Sequence, residues 1–136
     1  MYPEYLVAPM RQDLTSAGFE DLKTAAEVDQ AIKGEGTVLV MVNSVCGCAA
    51  ANARPAAILS AEHSNRPDKL VTVFAGMEKD AVDQARSYML PYPPSSPAIA
   101  LFKNGKLVHM IERHQIEGRP AQMIADNLTL AFDQYC

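Results

Sequence analysis

Thr37-Val38-Leu39-Val40-Met41-Val42-Asn43, Ser44, Val45-Cys46-Gly47-Cys48 and Ala49-Ala50-Ala51-Asn52-Ala53 form one continuous stretch, and the fold is read from it. The first seven residues are β-branched and almost wholly apolar, which predicts a strand covered on both faces of a sheet. A helix is expected from about Gly47 to His63. Pro55 lies inside it, removing one backbone bond and clashing with the Ala51 carbonyl, so the helix should kink there. Two thiols, two residues apart, therefore stand where strand gives way to helix.

Upstream, Pro9 to Ala17 reads as a first helix, with Pro9 at its first position, Met10 and Leu14 on one face and Gly18 as the stop. Phe19 to Lys23 reads as a short edge strand. Thr24-Ala25-Ala26-Glu27 is a capping box that opens a helix to about Lys33, ended by Gly34 and Gly36. Downstream, Leu70 to Ala75 predicts a second buried strand, and Glu78 to Met89 a helix with acidic residues in its first turn. Pro91 to Pro97 holds four prolines and is irregular. Asn104-Gly105 marks a hairpin between Ala98–Lys103 and Lys106–Ile111. Pro120 to Phe132 is a last helix with Ile124, Leu128 and Phe132 on one stripe. Parallel strands joined by helices and finished by an antiparallel hairpin make a mixed α/β sandwich.

The chain has 136 residues, one domain's length, and about half are apolar. A net charge of −4 with dispersed basic residues argues against nucleic acid or a membrane surface as partner. No apolar run is long enough to span a bilayer, and Met1-Tyr2-Pro3-Glu4-Tyr5 lacks the features of a secretory signal, so a soluble, cytoplasmic protein is expected. Three cysteines, an odd count in a reducing compartment, argue against a structural disulfide framework and for a catalytic or metal-binding close pair. A helix N-terminus presents unpaired N–H groups and a partial positive charge, both of which favour thiolate, so the layout is that of a thiol–disulfide enzyme.

The order of elements resembles the thioredoxin fold, with a redox motif opening its second helix and a proline just before the hairpin. More narrowly, Val42-Asn43-Ser44-Val45-Cys46-Gly47-Cys48-Ala49-Ala50, Ala53-Arg54-Pro55-Ala56, Val71-Thr72-Val73-Phe74-Ala75-Gly76, Pro94-Ser95-Ser96-Pro97, Ile116-Glu117-Gly118 and the ending from Ala131-Phe132-Asp133 to Cys136 resemble the bacilliredoxin family over essentially the whole chain. The resemblance implies a single thioredoxin-like domain over residues 1–136: a mixed central sheet, helices on both faces and an extra N-terminal helix. It also implies exchange on proteins that carry mixed disulfides with bacillithiol, a low-molecular-weight bacterial thiol, with Cys46 attacking and Cys48 resolving. Bacillithiol is then a co-substrate, and no cofactor or metal is expected. The partners are S-bacillithiolated client proteins and bacillithiol, and the chain is a monomer or a weak homodimer.

Within a helix, residues two apart diverge by about 200° around the axis. A Cys46–Cys48 bridge therefore requires Cys46 outside the helix and a freely turning Gly47, and it should be strained and easily reduced. The thioredoxin resemblance implies that Pro97 is cis, shaping with Ser96 and Gly47 a groove that presents backbone groups to a client strand. Arg54 is the candidate for steering an anionic small thiol. Cys136, beside the terminal carboxylate and Asp133, should be a poorer nucleophile, an auxiliary resolving thiol only if the C-terminus folds back. Two competing functions stay open: general disulfide isomerisation or reduction, and a metal-binding or redox-sensing module recruiting His63, His109 or His114.

Overall fold

The computed structural model describes all of residues 1–136. In chain order it comprises α1 (Glu4–Thr15), β1 (Glu20–Asp21), α2 (Ala25–Lys33), β2 (Thr37–Asn43), a π-helical turn (Ala49–Ala53), α3 (Arg54–Ser60), β3 (Lys69–Phe74), α4 (Lys79–Ser87), β4 (Ala98–Lys103), β5 (Lys106–Ile111), α5 (Arg113–Ile116) and α6 (Ala121–Tyr135). The five strands form one sheet in the order β1-β3-β2-β4-β5. β1, β3 and β2 run parallel, while β4 runs antiparallel to β2 and β5 to β4. This is the expected thioredoxin-like arrangement, with an added N-terminal helix.

β2 lies at the centre, and all seven of its residues are buried. Its side chains alternate between two cores because successive Cβ atoms point to opposite faces. Leu39 and Met41 join Ile99, Leu101, Ile124, Leu128 and Phe132 on the side covered by α1, α3 and α6. Val38, Val40 and Val42 join Val28, Ile32, Val71, Val82 and Phe102 under α2 and α4. Burial of each such side chain contributes roughly 2 kcal/mol, which is why an uninterrupted apolar run settles in the middle of the sheet.

Local signals fix the periphery. Thr24 Oγ1 accepts the Glu27 N–H at 3.1 Å, and the Glu27 carboxylate accepts the Thr24 N–H at 3.1 Å, closing the capping box. The hairpin turn has Asn104 at φ 51° and Gly105 at φ 81°, both in the left-handed region that Asn-Gly tolerates.

Three expectations change. α1 begins at Glu4, so Pro9 lies within it, and its buried stripe is Val7, Arg11 and Leu14 rather than Met10 and Leu14. The helix after the thiols starts at Gly47 and passes through the π-helical turn. There the Arg54 N–H reaches the Ala49 carbonyl, five residues back, and the wider register leaves Pro55 at the start of regular α3. Finally, α5 was not anticipated, although Glu112 and Gln115 form a capping box at its start.

Arg11 occupies a core-facing position because three carboxylates meet it. Its Nη1 donates to Glu78 Oε1 at 2.7 Å and to Asp21 Oδ2 at 3.0 Å, its Nε to Glu4 Oε2 at 3.2 Å, and the guanidinium lies 5.2 Å from the Phe74 ring centre. Burial pushes the Asp21 carboxyl up from its ordinary value, and Arg11 opposes that rise. Arg11→Ala should cost about 3–5 kcal/mol in denaturant unfolding, since it strands Asp21 and Glu78 half-buried without a counter-ion. The stranded Asp21 should titrate higher still. A carboxyl with a raised folded-state pKa gains stability as pH falls through that pKa, so the deficit should narrow on acidification below neutrality.

Candidate active site

The parallel strands end at one pole of the sheet. Asn43 pairs with Phe74, Val42 with Ala98, and Ile99 with Ile111, so the segments after β2, β3 and β5 and the segment before β4 all meet there. Cys46, Cys48, Ser96, Pro97 and Arg113 belong to these segments.

The turn from β2 into the helix is built from Asn43. Its side chain is fully buried, and its Nδ2 donates to the Met10 carbonyl at 3.1 Å. Its Oδ1 accepts the Ser44 N–H at 2.8 Å and Arg54 Nη1 at 3.0 Å. The same Arg54 nitrogen donates to the Ser44 carbonyl at 2.9 Å. Arg54 Nε sits 3.3 Å from the Asp13 carboxylate but makes no hydrogen bond. Chain direction through Ser44 is thus fixed on both sides. Arg54 itself is only 4 % exposed, so it does not face the groove. The expected steering role is corrected to support of the turn, because the guanidinium is buried and its hydrogen bonds go to Asn43 and Ser44.

Cys46 is the last residue before the helix: its carbonyl accepts the N–H groups of Ala49 at 3.1 Å and Ala50 at 3.2 Å. Its N–H donates to Ser44 Oγ at 3.1 Å. Its sulfur sits where an N-cap side chain accepts from the first turn. Partial burial raises the Cys46 thiol, but hydrogen bonds from the Cys48 thiol, the Ser44 hydroxyl and the N–H groups of Ala49 and Cys48 outweigh it, so the net shift is downward. Cys48 moves the other way. Burial, its hydrogen bond to Cys46 and the nearby Cys46 charge all hold it protonated, with Arg113 as the main opposing influence. Cys46 is therefore held more acidic and Cys48 less acidic than an ordinary cysteine, and thiolate is the reacting form in thiol–disulfide exchange.

Both thiols are free and half-buried. Gly47 between them is exposed, with no atom within 4 Å of where a Cβ would lie. The Ser96–Pro97 bond is cis, as is Leu90–Pro91. Ser95 and Ser96 are held by Arg113, whose N–H donates to Ser95 Oγ at 3.4 Å and whose Nη1 donates to the Ser96 carbonyl at 3.3 Å. Sequence reasoning missed Arg113, Asn43 and Ser44. The Glu112/Gln115 capping box is the one local signal that pointed to the first.

Cys136 lies at the opposite pole. Burial raises its thiol, and a hydrogen bond with Thr37, the first residue of β2, opposes that rise. β2 separates it from Cys46 by about 20 Å, too far for it to act as a resolving thiol within one chain. His63 meets Asp133 at 2.8 Å and His109 meets Asn127 at 2.6 Å, away from the thiols. No three His, Cys, Asp or Glu side chains gather closely enough to hold a metal ion.

The titration of Cys46 depends on donors that can be removed singly. Cys48→Ala and Ser44→Ala should each move it upward, whereas Cys48→Ser, which keeps a donor, should move it less. Thiolate absorbance against pH, with alkylation rate as a second readout, checks this. Because thiolate is the reacting form, the alkylation midpoint should shift to higher pH in the two alanine variants.

The comparisons with known proteins agree with this geometry. The family model described as "Disulphide isomerase" matches residues 2–136. A bacilliredoxin of Cytophaga hutchinsonii is 58% identical over 134 residues, covering 98% of this chain and 99% of its own. A bacilliredoxin of Staphylococcus aureus is 49% identical over 136 residues, covering 100% of this chain and 94% of its own. Among solved structures, the thioredoxin of Fasciola hepatica superposes with a TM-score of 0.61 at 18% identity, covering 87% of this chain and all of its own. A mutant thioredoxin from Halobacterium salinarum gives 0.61 at 18% identity, covering 88% and 91%. At that identity these two structures speak to the fold alone. With two free thiols seated at a helix N-terminus and relatives matching end to end, the chain belongs to the bacilliredoxin family and is a thiol–disulfide oxidoreductase of thioredoxin fold.

Proposed function

We propose that this oxidoreductase removes bacillithiol from S-bacillithiolated proteins, with Cys46 attacking and Cys48 resolving. The observation that carries the reading is the opposed state of the two thiols, Cys46 lowered at the helix N-terminus and Cys48 raised beside it. The names of the relatives support the choice of small thiol.

In the first step the Cys46 thiolate attacks the bacillithiol sulfur of the mixed disulfide. The old S–S bond breaks and the client leaves as a thiolate. Cys46 no longer carries charge, so the part of the upward shift at Cys48 that came from that charge is relieved, while the part due to burial stays, and Cys48 ionises more readily. It then attacks the Cys46 sulfur and expels bacillithiol as a thiolate, leaving Cys46 and Cys48 joined. That closure takes Gly47 out of its helical conformation, and its open surroundings allow the movement. An outside thiol reduces the bridge. In this reading Gly47, Ser96 and Pro97 line the client side of the exchange, and bacillithiol acts as a co-substrate in a cytoplasmic setting. No helix is long and apolar enough to cross a membrane.

A second reading is isomerisation of protein disulfides, which the description of the matching family names directly. Relative turnover of a bacillithiol-modified client and of a scrambled-disulfide client separates the two.

Intact mass after mixing reduced protein with a bacillithiol-modified client tests the first reading. Wild type should pass through an adduct to an internal disulfide, Cys48→Ser should retain the adduct, and Cys46→Ser should take up nothing. Gly47→Ala should form the adduct normally but lose it more slowly. Absence of the adduct from both wild type and Cys48→Ser would overturn the reading in favour of isomerisation.

A further inference from the structure

We propose that Arg113 is a specificity-determining residue that selects disulfides carrying a carboxylate, by pairing with that carboxylate while Cys46 attacks the disulfide sulfur; the proposal rests on the reading of Cys46 as the attacking thiol.

The fold places Arg113 directly after β5, at the pole where β2 ends and β4 begins. Three contacts orient it: N–H to Ser95 Oγ, Nη1 to the Ser96 carbonyl, and Nε to Glu117 Oε2 at 3.1 Å. Those contacts leave Nη2 without a protein partner on a side chain that is 45% exposed. The guanidinium is thus tethered yet open, on the wall formed by the cis Ser96–Pro97 segment. After Glu117, the two site cysteines are the groups whose charge weighs most on it.

The two buried arginines near this pole are committed. Arg54 serves Asn43 and Ser44, and Arg11 serves Glu4, Asp21 and Glu78. Arg86, on α4, reaches the Ser95 carbonyl at 3.5 Å from the other side of the same segment. The chain as a whole carries −4, so an anionic small disulfide approaches an unfavourable overall field. A guanidinium fixed on the Ser95–Ser96 segment, within range of the charges of both site cysteines, offsets that locally. The free Nη2, held in place by the contacts of Nε and Nη1, offers a carboxylate a charge-assisted hydrogen bond from an oriented donor.

The test uses the full chain, reduced, with Cys48→Ser and Cys136→Ser so that Cys46 is the only thiol. Two aromatic probes are compared: dithiobis(nitrobenzoate), with a carboxylate on each ring, and uncharged dipyridyl disulfide. In both reactions the Cys46 thiolate bonds to one probe sulfur, the probe S–S bond breaks, and the second sulfur leaves with the electron pair, so no further oxidant is needed. Adding Arg113→Gln should slow the carboxylate probe roughly tenfold while changing the uncharged probe by no more than about twofold. Arg113→Lys should restore part of the difference. Equal slowing of both probes, or no slowing of either, would overturn the proposal while leaving the attacking role of Cys46 intact. Failure of the parent protein to react with either probe would overturn that role and the proposal together.

Discussion

A fully buried asparagine has to satisfy its amide inside the protein, and Asn43 does so by fixing the route of the chain. Its Nδ2 holds α1 through the Met10 carbonyl, and its Oδ1 takes both the Ser44 N–H and the Arg54 guanidinium. Arg54 in turn grips the Ser44 carbonyl. Leaving one of these groups unpaired would cost on the order of 1–3 kcal/mol, more for the charged one. The clamp therefore permits one path out of β2. That path ends with the Cys46 carbonyl on the Ala49 and Ala50 N–H groups and the Cys46 sulfur at the open end of the helix. The π-helical turn belongs to the same device: it lets Arg54 come back under Asn43 and still start α3 with a proline at its first turn.

From that placement the chemistry follows in order. Donors converge on one sulfur only, so the two thiols separate in acidity although they are neighbours in sequence. Burial is the largest cause holding Cys48 up, and the hydrogen bond to Cys46 and the Cys46 charge add to it; bonding Cys46 removes the last of these and so eases Cys48 toward ionisation. Cys136 takes no part, because α6 delivers it to the far end of β2 beside Thr37. The site is small and sits on rigid elements, with the sheet behind it filled by two apolar cores.

The readable features were those with local causes. β2 and β3 announced themselves as apolar β-branched runs, α2 by Thr24 and Glu27, and the hairpin by Asn104-Gly105; their ends fell within a residue or two of expectation. Cys46 at a helix start was legible for the same reason. The unread features depend on partners far away in sequence. Arg54 read as a residue facing an anionic small thiol because nothing near it in sequence shows that Asn43 lies beneath it, eleven residues earlier. Arg11 looked polar, yet Glu78 meets it across sixty-seven positions. Arg113 followed a strand in what read as a connecting loop, and only the pairing of β4 with β5 brings it beside Ser96.

The Asn43–Arg54 clamp sets the state of Cys46 by fixing the turn that carries it. The most direct measurement is the thiolate titration of Cys46 in Arg54→Lys, which keeps a cation near Asp13 but cannot reproduce the guanidinium's grip on both Asn43 and Ser44. With helix and sheet content unchanged by circular dichroism, the account predicts that the Cys46 titration moves upward toward that of an ordinary cysteine. A folded Arg54→Lys protein in which Cys46 titrates as in wild type would contradict it.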